Sequence, residues 1–227
     1  APHTRRGPDE RIAPVKPAGE RPVFQLCRAI VFDLDNCLCD GRAAGEDLFA
    51  PAFEAISAAN DGHLAPGRLQ QAFGECWFTS FDVVAQRYGY TQRMADAGFA
   101  AFSRLEVRQP VEGYPDLALL ADLAVDKYLV TSGFRRLQES KVRALGLRRW
   151  FKGIVIDAVD EASHRGKKAI FEDILRDGGY VPEEVLAVGD NPLSGLAAGR
   201  ELGMRSVQTL WPGVGEAGAD FHIPPFH

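Results

Sequence analysis

The feature that most restricts the fold of this chain is the alternation of short apolar segments with longer amphipathic segments from residue 112 onward. The short segments predict β-strands, and the longer ones, several of which end at glycine, predict α-helices. Such alternation is typical of an α/β fold with a doubly wound (Rossmann-like) parallel sheet. The predicted strands are Arg28–Asp33, Lys127–Thr131, Gly153–Ile156, Val185–Gly189, Arg205–Leu210 and Ala219–Ile223. The predicted helices are Asp116–Ala124, Phe134–Leu145, Lys167–Arg176 and Leu193–Leu202.

A block of helical periodicity separates the first two predicted strands. Its segments are Asp47–Ala59, Pro66–Phe73, Phe81–Tyr88 and Thr91–Leu105. We therefore predict an inserted α-helical subdomain over residues 41–111 and an α/β core over residues 23–40 and 112–227. Residues 1–22 hold five of the 14 prolines and few large apolar side chains, which predicts a flexible N-terminal tail.

Composition and charge argue against several classes of binding partner and site for this protein. The net charge is −5, with both signs mixed along the chain, so no basic face for nucleic acid is expected. Apolar runs are too short to span a membrane, and no secretory signal is recognised. The four cysteines include no CxxC pair, which indicates reduced thiols in a cytoplasmic protein rather than a zinc site. The oligomeric state cannot be predicted from these features.

Polar residues follow several of the predicted strands at their carboxyl ends, where open α/β sheets place their ligands. Acidic side chains that converge there repel one another unless a cation is present, and Mg²⁺ is the hard divalent ion that carboxylates suit. A carboxylate beside Mg²⁺ and a lysine is placed to attack phosphorus and form an aspartyl phosphate. The residues concerned are Asp33, Asp35, Thr131, Ser132, Gly133, Lys167 and Asp190.

Four motifs in order make the chain resemble the haloacid dehalogenase-like (HAD) superfamily over everything after the tail. They are DLDNC from Asp33, LVTSG around Thr131, RGKKAIF around Lys167, and VGDN around Asp190. The resemblance implies a Mg²⁺-dependent phosphatase that acts on a small phosphorylated metabolite through an aspartyl phosphate. The inserted helices lie at the position in the sequence where that family has a helical cap. The resemblance implies that this cap selects the leaving group.

The resemblance also implies a role for each motif residue. Asp33 would be the nucleophile, and Asp35 the acid and base. Lys167 fits the family pattern better than Lys168 because of its spacing to Phe171. Phosphate would be held by Thr131, Ser132, Gly133 and Lys167, and Mg²⁺ by Asp33, Asp190 and the main-chain carbonyl of Asp35.

Two positions depart from the family pattern. Cys37 stands where threonine or valine is usual, and Ser194 and Gly195 stand where a second acid commonly supports the metal. Because this acid is missing, an alternative interpretation is a catalytically weakened protein that binds a ligand or partner. A phosphosugar mutase, which would return the phosphoryl group to its substrate, is the other alternative.

Overall fold

The computed structural model describes residues 26–210 and 215–223, so the tail predicted for residues 1–22 lies outside the described residues. Six parallel strands form one sheet in the order β3-β2-β1-β4-β5-β6, which confirms the predicted doubly wound sheet. The chain fills one half of the sheet and then the other, so the topological switch point lies between β1 and β4. The strands are β1 (Ala29–Phe32), β2 (Asp126–Gly133), β3 (Gly153–Ala158), β4 (Val185–Gly189), β5 (Arg205–Thr209) and β6 (Phe221–Ile223).

Helices cover the sheet and fill the interval between β1 and β2. The described α-helices are α1 (Ala50–Ala59), α2 (Pro66–Glu75), α3 (Phe81–Tyr88), α4 (Gln92–Phe102), α5 (Arg135–Ala144), α6 (Gly166–Gly178) and α7 (Gly195–Glu201). Short 3₁₀ helices lie at Glu46–Phe49, Pro115–Ala121, Leu147–Trp150 and Pro182–Glu184. Among the described residues, no helix is both long enough and apolar enough to cross a membrane.

The central strand of the sheet is buried on both faces, as alternate residues of β1 demonstrate. Ile30 and Phe32 pack in a core that includes side chains of α5 and of the helical block. Ala29 and Val31 pack in a second core with α6 and α7. Because successive strand residues point to opposite faces, a strand buried on both sides must be apolar throughout. This explains the unbroken apolar run in the sequence.

An aromatic cluster joins the four inserted helices to the sheet. α1 packs on α4, and Phe102 at the end of α4 stacks on Phe134 with ring centroids 5.3 Å apart. Phe134 directly precedes α5, at the carboxyl end of β2. The inserted helices therefore stand above the edge of the sheet where the strands end.

Several predicted helices differ from the structure. The helix predicted as Asp47–Ala59 divides into the 3₁₀ helix Glu46–Phe49 and α1, and the helix predicted as Thr91–Leu105 ends at Phe102. The segment predicted as Asp116–Ala124 forms the 3₁₀ helix Pro115–Ala121, in which Leu120 is the residue that is buried, so no apolar stripe holds a full α-helix on the core. α7 begins at Gly195 instead of Leu193. There the side chain of Asn191 accepts a hydrogen bond from the main-chain N–H of Leu193 at 2.9 Å and holds a turn.

Candidate active site

A cleft of about 510 Å³ lies at the carboxyl ends of the central strands. β1 supplies Asp33 and Asp35, and the main-chain N–H of Asp33 still donates to Val188 of β4 at 2.9 Å. Register between parallel strands thus brings side chains distant in sequence to one edge. The predicted site residues that line the cleft are Asp33, Asp35, Thr131, Ser132, Gly133, Lys167 and Asp190.

Asp33 is held by two donors. Its Oδ2 lies 2.5 Å from Nζ of Lys167, and its Oδ1 accepts a hydrogen bond from the main-chain N–H of Leu34 at 2.8 Å. The Lys167 side chain is 6% exposed, whereas Lys168 is on the surface and pairs with Glu201 at 3.0 Å. Of the two neighbouring lysines, the structure places Lys167 beside the proposed nucleophile.

Asp190 lies beside this ion pair and is 4% exposed. Burial and the negative charge of Asp33 raise the pKa of Asp190 from its usual value to about 7, although Lys167 and Asn36 act in the opposite direction. When Asp190 is ionised, the two carboxylates carry more negative charge than Lys167 balances, and a cation would relieve the repulsion.

The donor set can be compared with what Mg²⁺ requires. Across residues 26–210 and 215–223, no three His, Cys, Asp or Glu side chains converge as metal ligands. Mg²⁺ is nevertheless often bound by one or two carboxylates together with water. Asp33 and Asp190, with the main-chain carbonyl of Asp35, fit that requirement. The raised pKa of Asp190 is also consistent with a cation site, because a bound cation would stabilise the ionised carboxylate.

We expect Mg²⁺ to raise the melting temperature by several °C more at about pH 8 than at about pH 5.5. Because the pKa of Asp190 is raised in the folded state, its contribution to stability is fully present below about pH 4 and is lost as the pH rises through about 7. Mg²⁺ bound beside Asp190 would offset the repulsion that this ionisation creates. Thermal denaturation at both pH values measures the difference, and Asp190→Asn should remove it. Equal shifts at both pH values in the unsubstituted protein would contradict this assignment.

Gly195, one of the positions where the family pattern has an acid, opens α7 close to Lys167. A Cβ atom built at Gly195 would lie 3.7 Å from Nζ of Lys167, at ordinary van der Waals distance. The Cβ atom of an aspartate here would therefore meet no clash, and at the start of a helix its charge is favourable.

Gly195→Asp should lower the Mg²⁺ concentration for half-maximal effect about tenfold, which corresponds to about 1.4 kcal/mol of added binding free energy. Calorimetric titration with Mg²⁺ measures it. Gly195→Asn is the matched control, because it adds the same volume without the charge. A similar gain in both variants would show that charge at position 195 is not what the site lacks.

The end of β2 provides the residues predicted to hold phosphate. Thr131 is buried and lines the cleft, and Oγ of Ser132 lies 3.5 Å from a carboxylate oxygen of Asp157. Gly133 has φ 150°, and a Cβ atom there would lie 2.8 Å from Nε2 of Gln138. The backbone angle favours glycine at this position, and a larger side chain would also displace the Gln138 amide.

Asp157 was not predicted as a site residue. It lies near the end of β3 with a side chain 1% exposed, and its carboxylate accepts hydrogen bonds from the main-chain N–H groups of Arg165 and Gly166 at 3.1 and 3.2 Å. Nδ1 of His164 lies 3.1 Å away. These contacts order the turn that precedes Lys167. The available sequence signal was the acid that follows the apolar run of β3.

Two further residues, Gln138 and Lys141, were also missed. Nζ of Lys141 lies 2.7 Å from Oδ1 of Asp35, and Nε2 of Gln138 donates to Oδ2 of Asp35 at 3.1 Å. Both side chains are buried, within the stripe of α5 that also buries Leu137 and Val142. The signal in the sequence was a lysine at an apolar position of an amphipathic helix.

The inserted helices supply the opposite wall of the cleft, with Trp77, Phe78, Phe81 and Asp82 among its residues. Within the described part of the chain, Oδ1 of Asp82 is buried and accepts no hydrogen bond. Phe78 is 44% exposed. This wall thus combines exposed apolar surface with a buried hydrogen-bond acceptor that is unsatisfied.

The departure at Cys37 is accommodated by the fold. The thiol is buried, lies 3.6 Å from the carbonyl oxygen of Val188, and replaces one small side chain by another. Burial and the charges of Asp33 and Asp190 raise the pKa of Cys37 well above its usual value. The thiol therefore acts as a neutral packing group beneath the site.

Comparison with known proteins places this arrangement in a family. The chain is 26% identical over 201 residues to a Bacillus subtilis protein named as a HAD-hydrolase, YfnB, covering 81% of this chain and 83% of YfnB. A magnesium-bound structure of YfnB superposes with a TM-score of 0.55 at 20% identity, covering 87% of this chain and 94% of the other. CbbY from Rhodobacter sphaeroides in complex with phosphate gives a TM-score of 0.62 at 22% identity, over 87% and 93% of the two chains.

A protein from Haemophilus somnus described as a predicted phosphoglycolate phosphatase gives a TM-score of 0.60 at 18% identity, over 87% of this chain and 93% of the other. At these identities the structural likenesses show the fold. The family itself is shown by sequence, because the model of the haloacid dehalogenase-like hydrolases matches residues 27–203. The chain therefore belongs to the haloacid dehalogenase-like hydrolase family.

Proposed function

We propose that the protein is a Mg²⁺-dependent phosphatase that hydrolyses a small phosphomonoester metabolite through an aspartyl phosphate on Asp33. The observation that supports this most strongly is the nearly buried pair of Asp33 and Lys167 beside Asp190, at the switch point of the sheet. A carboxylate fixed by a lysine at the base of a cleft is placed to act as a nucleophile toward a dianionic phosphate.

In the first step, an oxygen of Asp33 attacks phosphorus and the bond to the leaving alcohol breaks. Thr131, Ser132 and the main-chain N–H groups that follow them would hold the phosphoryl oxygens, and Lys167 would balance their charge. Asp35 would supply a proton to the leaving oxygen. Mg²⁺, held by Asp33, Asp190 and the main-chain carbonyl of Asp35, would neutralise negative charge on the phosphate when bound.

In the second step, water attacks phosphorus, the bond to Asp33 breaks, and phosphate leaves. Asp35 would accept the proton of that water. We also assign residues 41–111 as a cap whose wall of the cleft contacts the leaving group, because Phe78 and Asp82 lie there. Closing this cap would exclude bulk water during the first step.

Phosphate release from a panel of sugar phosphates, nucleoside monophosphates and phosphoglycolate, with Mg²⁺ and with EDTA, tests the proposal. We expect release from at least one substrate that EDTA abolishes. Isomerisation of a sugar phosphate without release would instead support a mutase. The lack of both activities would contradict the proposal.

The second candidate function is that of a catalytically weakened binding protein. It is favoured because Ser194 and Gly195 stand where the family pattern has an acid. Its expected result is saturable binding of a phosphorylated metabolite in calorimetry with no phosphate release from the same compound. The retained Asp33, Lys167 and Asp190 favour the phosphatase.

A further inference from the structure

A second ion pair, between a buried lysine and a partly exposed aspartate, lies beside the one that holds Asp33. Lys141 is 5% exposed, and its Nζ is 2.7 Å from Oδ1 of Asp35. Gln138 is 4% exposed, and its Nε2 donates both to Oδ2 of Asp35 at 3.1 Å and to the carbonyl of Ser132 at 3.0 Å. Each oxygen of the Asp35 carboxylate thus has its own donor from α5.

Lysine and glutamine are costly residues in the apolar stripe of a helix. A lysine is almost never fully buried unless it is paired, and replacing a buried ion pair by apolar residues often stabilises a protein. Lys141 and Gln138 occupy positions that leucine or methionine would fill at lower cost. Their contacts with Asp35 are therefore better explained by a role in the active site than by a contribution to the stability of the fold.

The helix that bears them is fixed to the core. Oγ of Ser140 accepts a hydrogen bond from the main-chain N–H of Val107 at 2.8 Å and donates to the carbonyl of Leu137 at 2.7 Å. On the other side, the missing side chain of Gly133 leaves the space that Gln138 occupies. Asp35 is consequently held by a rigid element and not by a mobile loop.

Each of the two buried lysines forms an ion pair with a different aspartate of the site. Lys167 contacts Asp33 and Lys141 contacts Asp35, from different helices. Two donors at fixed positions determine the plane of the Asp35 carboxylate, and a base must be oriented toward the proton that it accepts.

We propose that Lys141 and Gln138 are positioning residues that orient Asp35 to accept the proton of the water that hydrolyses the aspartyl phosphate. In that step the water oxygen bonds to phosphorus, the bond from phosphorus to Asp33 breaks, and the proton passes to Asp35. The inference rests on the proposed function, and it assigns a task to two residues outside the four motifs.

Lys141→Met tests this with 2,4-dinitrophenyl phosphate, whose leaving group departs without a proton. Formation of the aspartyl phosphate should stay within about threefold of the unsubstituted protein, while steady-state turnover should fall about 100-fold, a typical contribution of a general base. We expect a rapid burst of dinitrophenolate near one per protein molecule, followed by slow turnover. The phosphorylated protein should accumulate and be visible by intact-mass spectrometry after acid quench.

Three other variants complete the design. Lys141→Arg, which keeps a donor and a charge, should recover most of the turnover. Gln138→Met, which changes no charge, should show a weaker form of the same burst and protects the test if Lys141→Met is unstable. Lys152→Met is the matched control, because Lys152 pairs with Asp126 at the opposite end of β2 with 53% of its side chain exposed.

The outcomes separate this inference from the proposed function. No dinitrophenolate release by the unsubstituted protein would contradict the phosphatase itself. Release by that protein, together with equal loss of burst and turnover in folded Lys141→Met and Gln138→Met, would overturn the positioning role alone. Turnover within twofold of normal in both variants would overturn it too.

Discussion

Asp33→Asn is expected to lower kcat/KM for phosphate release at least about 1,000-fold, because it replaces the nucleophilic oxygen by an amide. The side chain keeps its shape, so Oδ1 can still accept the hydrogen bond from the main-chain N–H of Leu34. Loss of the negative charge also relieves the repulsion that raises the pKa of Asp190. Asp190, which also interacts electrostatically with Lys167, remains as a counter-charge for the lysine. We therefore expect the variant to fold and to keep a melting temperature within a few °C of the unsubstituted protein.

Asp40→Asn is the matched control for this substitution. Asp40 is an exposed carboxylate in the loop that follows the site, and its Oδ1 accepts a hydrogen bond from the main-chain N–H of Arg42 at 2.8 Å. The activity of Asp40→Asn should equal that of the unsubstituted protein. Release by Asp33→Asn within tenfold of normal would exclude Asp33 as the nucleophile.

Lys167→Met is expected to lower kcat about 100-fold to 1,000-fold, a typical range for removing a preorganised charge from an active site. Met fills similar space but leaves the carboxyls of Asp33 and Asp190 as neighbours with no ammonium to balance them. The variant should also be less stable, because removing one partner of a buried ion pair leaves a charge without compensation.

Lys168→Met separates the two adjacent lysines. Lys168 is 49% exposed and pairs with Glu201 on the surface, so its loss should leave kcat and the melting temperature unchanged. Steady-state kinetics on both variants with saturating Mg²⁺ measures the difference. Normal kcat in Lys167→Met, or a large loss in Lys168→Met, would exclude the present assignment.

The sheet could be predicted because each strand is marked by local sequence. β4 was predicted with its observed bounds, and β1 within one residue at each end, since both are short apolar runs followed by a polar strand end. The helix predicted at residue 193 begins two residues later because the Asn191 side chain stabilises a turn, which hydrophobic periodicity does not report.

The convergence of the motif residues on one cleft could be predicted because each lies at or just beyond the carboxyl end of a strand, or at the start of a helix, where topology determines the location. Lys141 and Gln138 could not, since their contact with Asp35 joins residues 106 and 103 positions apart through the docking of α5. Asp157 was missed because β3 extends two residues further than its apolar run. Packing of α5 on the sheet, rather than local pattern, determines the contacts of Lys141 and Gln138.

The most direct test of the central claim is the site of phosphoryl transfer. The protein is mixed with 2,4-dinitrophenyl phosphate and Mg²⁺, quenched in acid within the first turnover, digested, and analysed by mass spectrometry. We predict one phosphoryl group on the peptide that contains Asp33, sensitive to hydroxylamine and absent from Asp33→Asn. Phosphate release without that group, or with the group on another residue, would contradict the account.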